Sequence, residues 1–140
     1  MNLQSRFITK DDFKEYFGID LDAELKSDAN NSNKAEMFLT RVTNRLEAFL
    51  QAQFFKKLDY EYAHFTDYQK EHYKLALLEQ ALYVFKNGDI SVMSGLVDNN
   101  VATTRKQLNE ITIGQNCKNE LLLCGLWNVH IGGNYNIFVF

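Results

Sequence analysis

Three long stretches of this chain carry apolar residues at helical spacing, and the residues between them are those that start and stop helices. Thr9 is placed as an N-cap and Asp12 stands at the third helical position, an acidic variant of the capping box. Ile8 and Phe13 flank it as a hydrophobic staple, and Phe13, Tyr16 and Phe17 follow before Gly18, a residue suited to the left-handed conformation that ends helices. Ile19 and Leu21 come next, then the polar run KSDANNSN, residues 26–33, which reads as a surface loop. Asn33 with Glu36 three residues on opens a second helix. Behind it Phe38, Leu39, Val42, Leu46, Phe49, Leu50 and Phe54 recur at helical spacing, with Arg41, Arg45 and Glu47 mostly off that stripe. At about 20 residues this element is about 30 Å long. A connector over 56–65 leads to Thr66 and Gln69, a further capping box. The helix they open holds YKLALLEQALYVF, where Glu79 and Gln80 are the only polar residues after Lys74. A helix apolar nearly all round is a buried one, so this is the expected core helix, with Leu78, Leu82 and Phe85 on one of its faces. Lys86 suits its C-terminal dipole and Gly88 closes it.

The pattern then changes. Over 89–113 Gly, Ser, Asn and Thr mix with isolated aliphatic residues, and no helical stripe persists. This predicts a long loop or a small β arm, and so much irregular chain in one domain usually serves a function or leans on a neighbour. A short helix capped near Asn116 and ended by Gly125 follows. The chain finishes on IGGNYNIFVF, an aromatic, β-branched segment behind a double glycine. Ends are ordinarily polar and frayed unless something ties them down, so this one either folds back onto its own domain or is received by another chain. The expected fold is mostly α: a small helical bundle around a central apolar helix over 1–130, with the arm at about 89–113 and an extended C-terminal tail over 131–140.

Composition narrows the function classes. A length of 140 residues, 46% hydrophobic and 24% charged, fits one ordinary globular domain. A net charge of −3 argues against nucleic acid as an affinity partner, because phosphate binding needs a basic surface, while leaving DNA free to pass by without sticking. The N-terminal stretch lacks the basic-then-apolar pattern of a signal peptide and no apolar run approaches a membrane span, which predicts a cytosolic protein with no membrane partner. Cys117 and Cys124 fall on one helical face roughly 10 Å apart along the axis, too far for a disulfide. With no nearby His they make a poor zinc site, and reduced core cysteines are expected.

Catalytic constellations are missing. The run DLDAE, residues 20–24, opens like a calcium loop but has Leu25 where a glycine is needed and Asn31 where an acid is needed. His64, His72 and His130 are scattered outside any metal or nucleophile signature, and Gly132-Gly133 precedes no helix that could cradle a phosphate. The connector between the two long helices is far longer than a helix-turn-helix allows. No catalytic, metal or cofactor residue is predicted.

The order and ends of the elements resemble the head–tail connector (portal adaptor) family of long-tailed bacteriophages. Its opening helix, of the type T-x-x-x-F-K-x-Y-L-G-I, is matched by Thr9, Phe13, Lys14, Tyr16, Gly18 and Ile19. The long helix with an A-x-x-x-I-E-x-F-L flavour is echoed by Leu46-Glu47-Ala48-Phe49-Leu50, and the NGD turn after an apolar third helix by Asn87-Gly88-Asp89. The late helix closing on G-L-x-N/R is echoed by Gly125-Leu126-Trp127-Asn128. The resemblance spans nearly the whole chain and departs at its end, where 131–140 is more aromatic than the pattern requires.

The resemblance implies a virion structural protein, not an enzyme. It would work at the head–tail junction after passing through the host cytoplasm, as a homo-oligomeric ring of about a dozen copies beneath the portal. Such a ring extends the DNA channel and offers a platform to the next tail or head-closure protein. It also implies a C-terminal segment that reaches into the portal protein. Tyr135, Ile137, Phe138, Val139 and Phe140 are then the docking residues, suited by their alternation to strand addition, and Gly132 and Gly133 the hinge that lets the segment leave. Two other classes stay open: a small helical regulatory protein of the cytosol that binds another protein or DNA, and an accessory subunit of an enzyme or a small enzyme in its own right.

Overall fold

Thr9 opens the first helix as its spacing predicts: its hydroxyl accepts the Asp12 N–H while the Asp12 carboxylate accepts the Thr9 N–H at 3.0 Å. In the computed structural model, which describes residues 1–26, 33–88 and 112–127, this helix α1 spans Lys10–Phe17. It ends on Gly18 in the left-handed conformation, at φ 73°. Ile8 and Phe13, the two staple positions, are both buried. A four-residue helix, α2 (Leu21–Glu24), follows under an Asp20 N-cap and buries Leu21. Asp20 therefore serves as a cap in the segment whose acids superficially resemble a calcium loop.

The two long helices are α3 (Lys34–Phe54) and α5 (Asp67–Asn87), each of 21 residues. Between them α4 (Leu58–Ala63) takes up the connector and turns Leu58 and Tyr62 into the core. Sequence offered no warning of α2 or α4, because at four and six residues each is under two turns and too short for a period to show. Helix α3 starts where expected, with Asn33 as its N-cap residue, but without the side-chain bonds of a capping box. Asn33 makes no side-chain cap bond, and the Glu36 carboxylate instead accepts the Lys10 N–H of α1 at 3.3 Å. The acid thus sits at the first turn of both helices, where the dipoles favour it. Along α3, Phe38, Leu39, Val42, Leu46 and Leu50 are buried as the stripe predicts, and Phe49 and Phe54 lie at its half-buried end.

Helix α5 has the Thr66–Gln69 capping box and is the core helix. It packs on α6 (Gln115–Cys124) along one side and on α3 along another, and its Tyr73, Ala76, Leu77, Leu78 and Ala81 are fully buried. The face predicted from Leu78, Leu82 and Phe85 is only partly core: Leu78 is buried, but Leu82 and Phe85 are half-exposed. That line of residues runs out to the margin of the bundle, where the Phe85 ring meets Phe13 at 6.5 Å. The described residues are 71% helical and contain no strand, so the chain has a mostly α fold. Of the predicted arm, only Thr112 and Ile113 are described; they are non-helical, and Ile113 is buried.

Candidate functional site

The predicted docking residues Tyr135, Ile137, Phe138, Val139 and Phe140 and the hinge Gly132 and Gly133 lie outside the described residues. The base from which that segment starts is described. At the end of α6, Gly125 takes the left-handed conformation, its N–H donates to Leu122 O at 3.2 Å, and the Leu126 N–H donates to Leu121 O at 3.0 Å. This is a Schellman motif, and its accompanying apolar pair, Leu121 and Leu126, is fully buried. The motif reverses the chain and delivers Trp127 to the C-terminal end of α3. There the indole stacks on Phe49 (centroids 5.9 Å apart, planes at 20°) and meets Phe54 edge-on at 5.0 Å, with the Lys118 ammonium 5.5 Å from its centroid. Aromatic pairs of this kind are worth about 0.5–1.5 kcal/mol each beyond the area they bury. The segment after Trp127 therefore leaves from a fixed point.

Helix α6 has no side-chain cap of its own: Gly114, not Asn116, is its N-cap residue. Both its ends are held by glutamines of α5. Gln80, fully buried, accepts the Gly114 N–H through Oε1 at 3.0 Å and donates through Nε2 to Thr112 O at 2.9 Å. Eleven residues earlier, Gln69 donates through Nε2 to Cys124 O at 3.1 Å, while its Oε1 accepts the Thr66 N–H of its own capping box. An eleven-residue separation is about 16 Å along a helix, which matches the length of the antiparallel α6 it spans. Between these clasps His72 Nδ1 lies 2.6 Å from Glu120 Oε1, and Asn116 donates to Glu79 at 3.3 Å. Gly114 is needed for close approach and not for its backbone angles: a Cβ there would stand 3.0 Å from the Tyr83 ring.

Cys117 and Cys124 are free thiols buried in this seam, in keeping with a core role. Burial pushes Cys117 far above the ordinary thiol range and Cys124 up to about 12, so neither presents a thiolate near neutral pH. No group of acids, histidines or cysteines that could hold a metal is found among the described residues. His64 is exposed, with Nδ1 2.8 Å from Tyr60 O, and His130 lies outside the described residues.

The third polar cluster ties down the N-terminal segment. The Arg6 guanidinium reaches Glu47 of α3 at 2.9 Å and 3.2 Å and also pairs with Asp59 of α4, and the Tyr73 hydroxyl donates to the same Glu47 carboxylate. Lys74, 1% exposed, donates to Asn2 O, and Tyr62 donates to Leu3 O at 3.0 Å. The hydrogen bond to Glu47 holds Arg6 firmly charged, while burial pushes Tyr73 well above the phenol range and lowers Lys74. Each of these groups is engaged in holding the first residues against α3, α4 and α5. A surface hollow of about 360 Å³ beside the cluster is walled by Gln51, Lys57 and Tyr60 as well as Arg6, Glu47 and Asp59. Arg6, Glu47 and Asp59 pair with one another and converge on no nucleophile.

Neither family models, nor curated proteins, nor solved structures yield a match to this chain. Sequence reasoning did not single out Gln69 and Gln80 as clasps for α6. The available signal was Gln80 itself, an uncharged polar residue inside an otherwise apolar helix.

Proposed function

We propose that this protein is a head–tail connector of a long-tailed bacteriophage, a non-enzymatic ring subunit that sits beneath the portal and extends the DNA channel. The reading rests on the family resemblance of its helix ends, and the anchoring of Trp127 is the observation that carries it. A helix clasped at both ends and closed by a Schellman motif leads straight into an aromatic, β-branched terminus. That construction suits a segment which transmits load from a partner to its own core. Ten extended residues span roughly 33 Å, enough to cross a neighbouring subunit. The net charge of −3 fits a conduit that lets DNA slide without gripping it.

Deleting residues 131–140 tests this. The shortened chain should melt as the full chain does and fail to co-sediment with its cognate portal ring. A shortened chain that still binds the portal removes the docking role, and one that no longer folds makes the segment part of its own core.

A further inference from the structure

Phe55 is the most exposed large apolar side chain of the described residues, at 86%. It is also a non-glycine residue in the left-handed region, at φ 56° and ψ 37°, where its N–H donates to Gln51 O at 3.0 Å and ends α3. Glycine or asparagine is the usual choice at such a position, because a Cβ is strained there. Phenylalanine thus accepts strain while staying almost wholly exposed among the described residues. The corner that carries it is held on both sides, by the 21-residue α3 and by the buried Leu58 of α4. Lys56 and Lys57 follow directly, and Tyr60 beside them is 61% exposed.

A hollow of about 140 Å³ lies at α1, with the fully buried Leu78 as its floor and Met1, Tyr16, Asp12 and Glu15 as its walls. An apolar cavity of about 150 Å³ takes up benzene, so the space suits one phenyl ring. Its surroundings are acidic: Asp11, Asp12, Glu15, Asp20, Asp22 and Glu24 stand against Lys10 and Lys14 across α1 and α2. Helix α1 is bonded to the first turn of α3 through Glu36, whereas Phe55 stands at the last turn of the same helix, about 30 Å away. Phe55 therefore cannot reach the hollow of its own chain.

We propose that Phe55 of one copy seats in the α1 hollow of the next, with Lys56 and Lys57 facing Asp12 and Glu15. The two surfaces differ, so the contact is head-to-tail and grows a ring or a filament according to whether its rotation closes. This deepens the ring reading given above and rests on it for closure alone.

The test uses three full-length chains in sedimentation velocity across a concentration series. The wild-type chain should associate beyond a dimer. Phe55→Gly removes the ring and relieves the strained backbone, so it should melt higher than the wild-type chain yet associate at least about tenfold more weakly, a difference of roughly 1.4 kcal/mol. Glu15→Lys should associate as weakly while its melt stays unchanged. Mixed together, the two variants retain one intact pair of surfaces and should form a 1:1 dimer that grows no further. Undiminished association of Phe55→Gly overturns this interface and leaves the ring reading standing. A wild-type chain that stays monomeric throughout also overturns it, while portal binding continues to judge the ring reading. Variants that form nothing when mixed, or a wild-type assembly that stops at a symmetric dimer, overturn the head-to-tail arrangement.

Discussion

Helices α1 and α6 are of similar length, eight and ten residues, yet they are held in opposite ways. Helix α1 carries its own start and stop: Thr9 and Asp12 cap each other and Gly18 turns the chain out. Helix α6 starts on a glycine with no side-chain cap and takes its polar partners from α5, Gln80 at one end and Gln69 at the other. An isolated helix of this length is marginal in water, so both depend on packing; α1 draws one acceptor from a neighbour, the Glu36 carboxylate at its first N–H, whereas α6 takes partners from α5 at both ends. The difference matters because α6 is the element continuous with the aromatic terminus. A pull applied beyond Trp127 passes through α6 into α5, the most buried helix, and through the Trp127 stack into α3.

The comparison can be broken at several depths. Leu77→Ala strikes the helix on which both α3 and α6 pack; at a fully buried position it should cost about 2–5 kcal/mol and lower the melt of the whole domain. Leu82→Ala, on the half-exposed margin of the same helix, should cost clearly less in the same denaturant titration. Gln80→Leu keeps the volume but leaves the buried Gly114 N–H without an acceptor, at about 1–3 kcal/mol, and its effect should concentrate in α6. Thr9→Ala should cost about 1 kcal/mol and loosen α1 alone, which amide exchange by NMR resolves. Equal losses of protection in both helices from either substitution would show that the two ends are not independently capped.

Alkaline pH sharpens the contrast in a milder way. Tyr62 and Cys124 are pushed up to about 12 by burial, and Tyr73 and Cys117 are raised for the same cause. A folded-state pKa above the unfolded value means that the native protein keeps its proton while the unfolded chain releases it. The stability these groups contribute is whole below the ordinary values of 9.0 and 10.0 and is lost as pH rises toward about 12. Two of the four lie in the α5–α6 seam, and α1 adds Tyr16, also raised by burial. Denaturant midpoints should therefore fall steadily from about pH 9 upward, and a midpoint flat to pH 11 would contradict the burial of these groups.

What could be read from sequence follows the same division. The capping boxes at Thr9 and Thr66, the glycine stops at Gly18 and Gly125 and the α3 stripe are local, since each depends on residues within a turn or two. All are found where expected. The misreadings are tertiary. Glu36 looked like a cap for its own helix and instead accepts from α1, and Asn116 looked like a cap and instead donates to Glu79 across the seam. Leu82 and Phe85 shared a face with Leu78 by period, but period does not say where a neighbouring helix ends. Trp127 was visible as part of a closing motif. Its stacking on Phe49 and Phe54 was not, because those residues are more than 70 positions away.

Native-state hydrogen exchange on the full chain and on Gln80→Leu tests most directly whether α6 is held by α5. The glutamine clasp predicts that α6 amides exchange with α5 as one cooperative unit in the wild-type chain. In the variant their protection should fall by about 5- to 150-fold, the equivalent of about 1–3 kcal/mol, while α1 keeps its own rates. Protection of α6 that is unchanged in the variant, or that falls together with α1, would contradict the account.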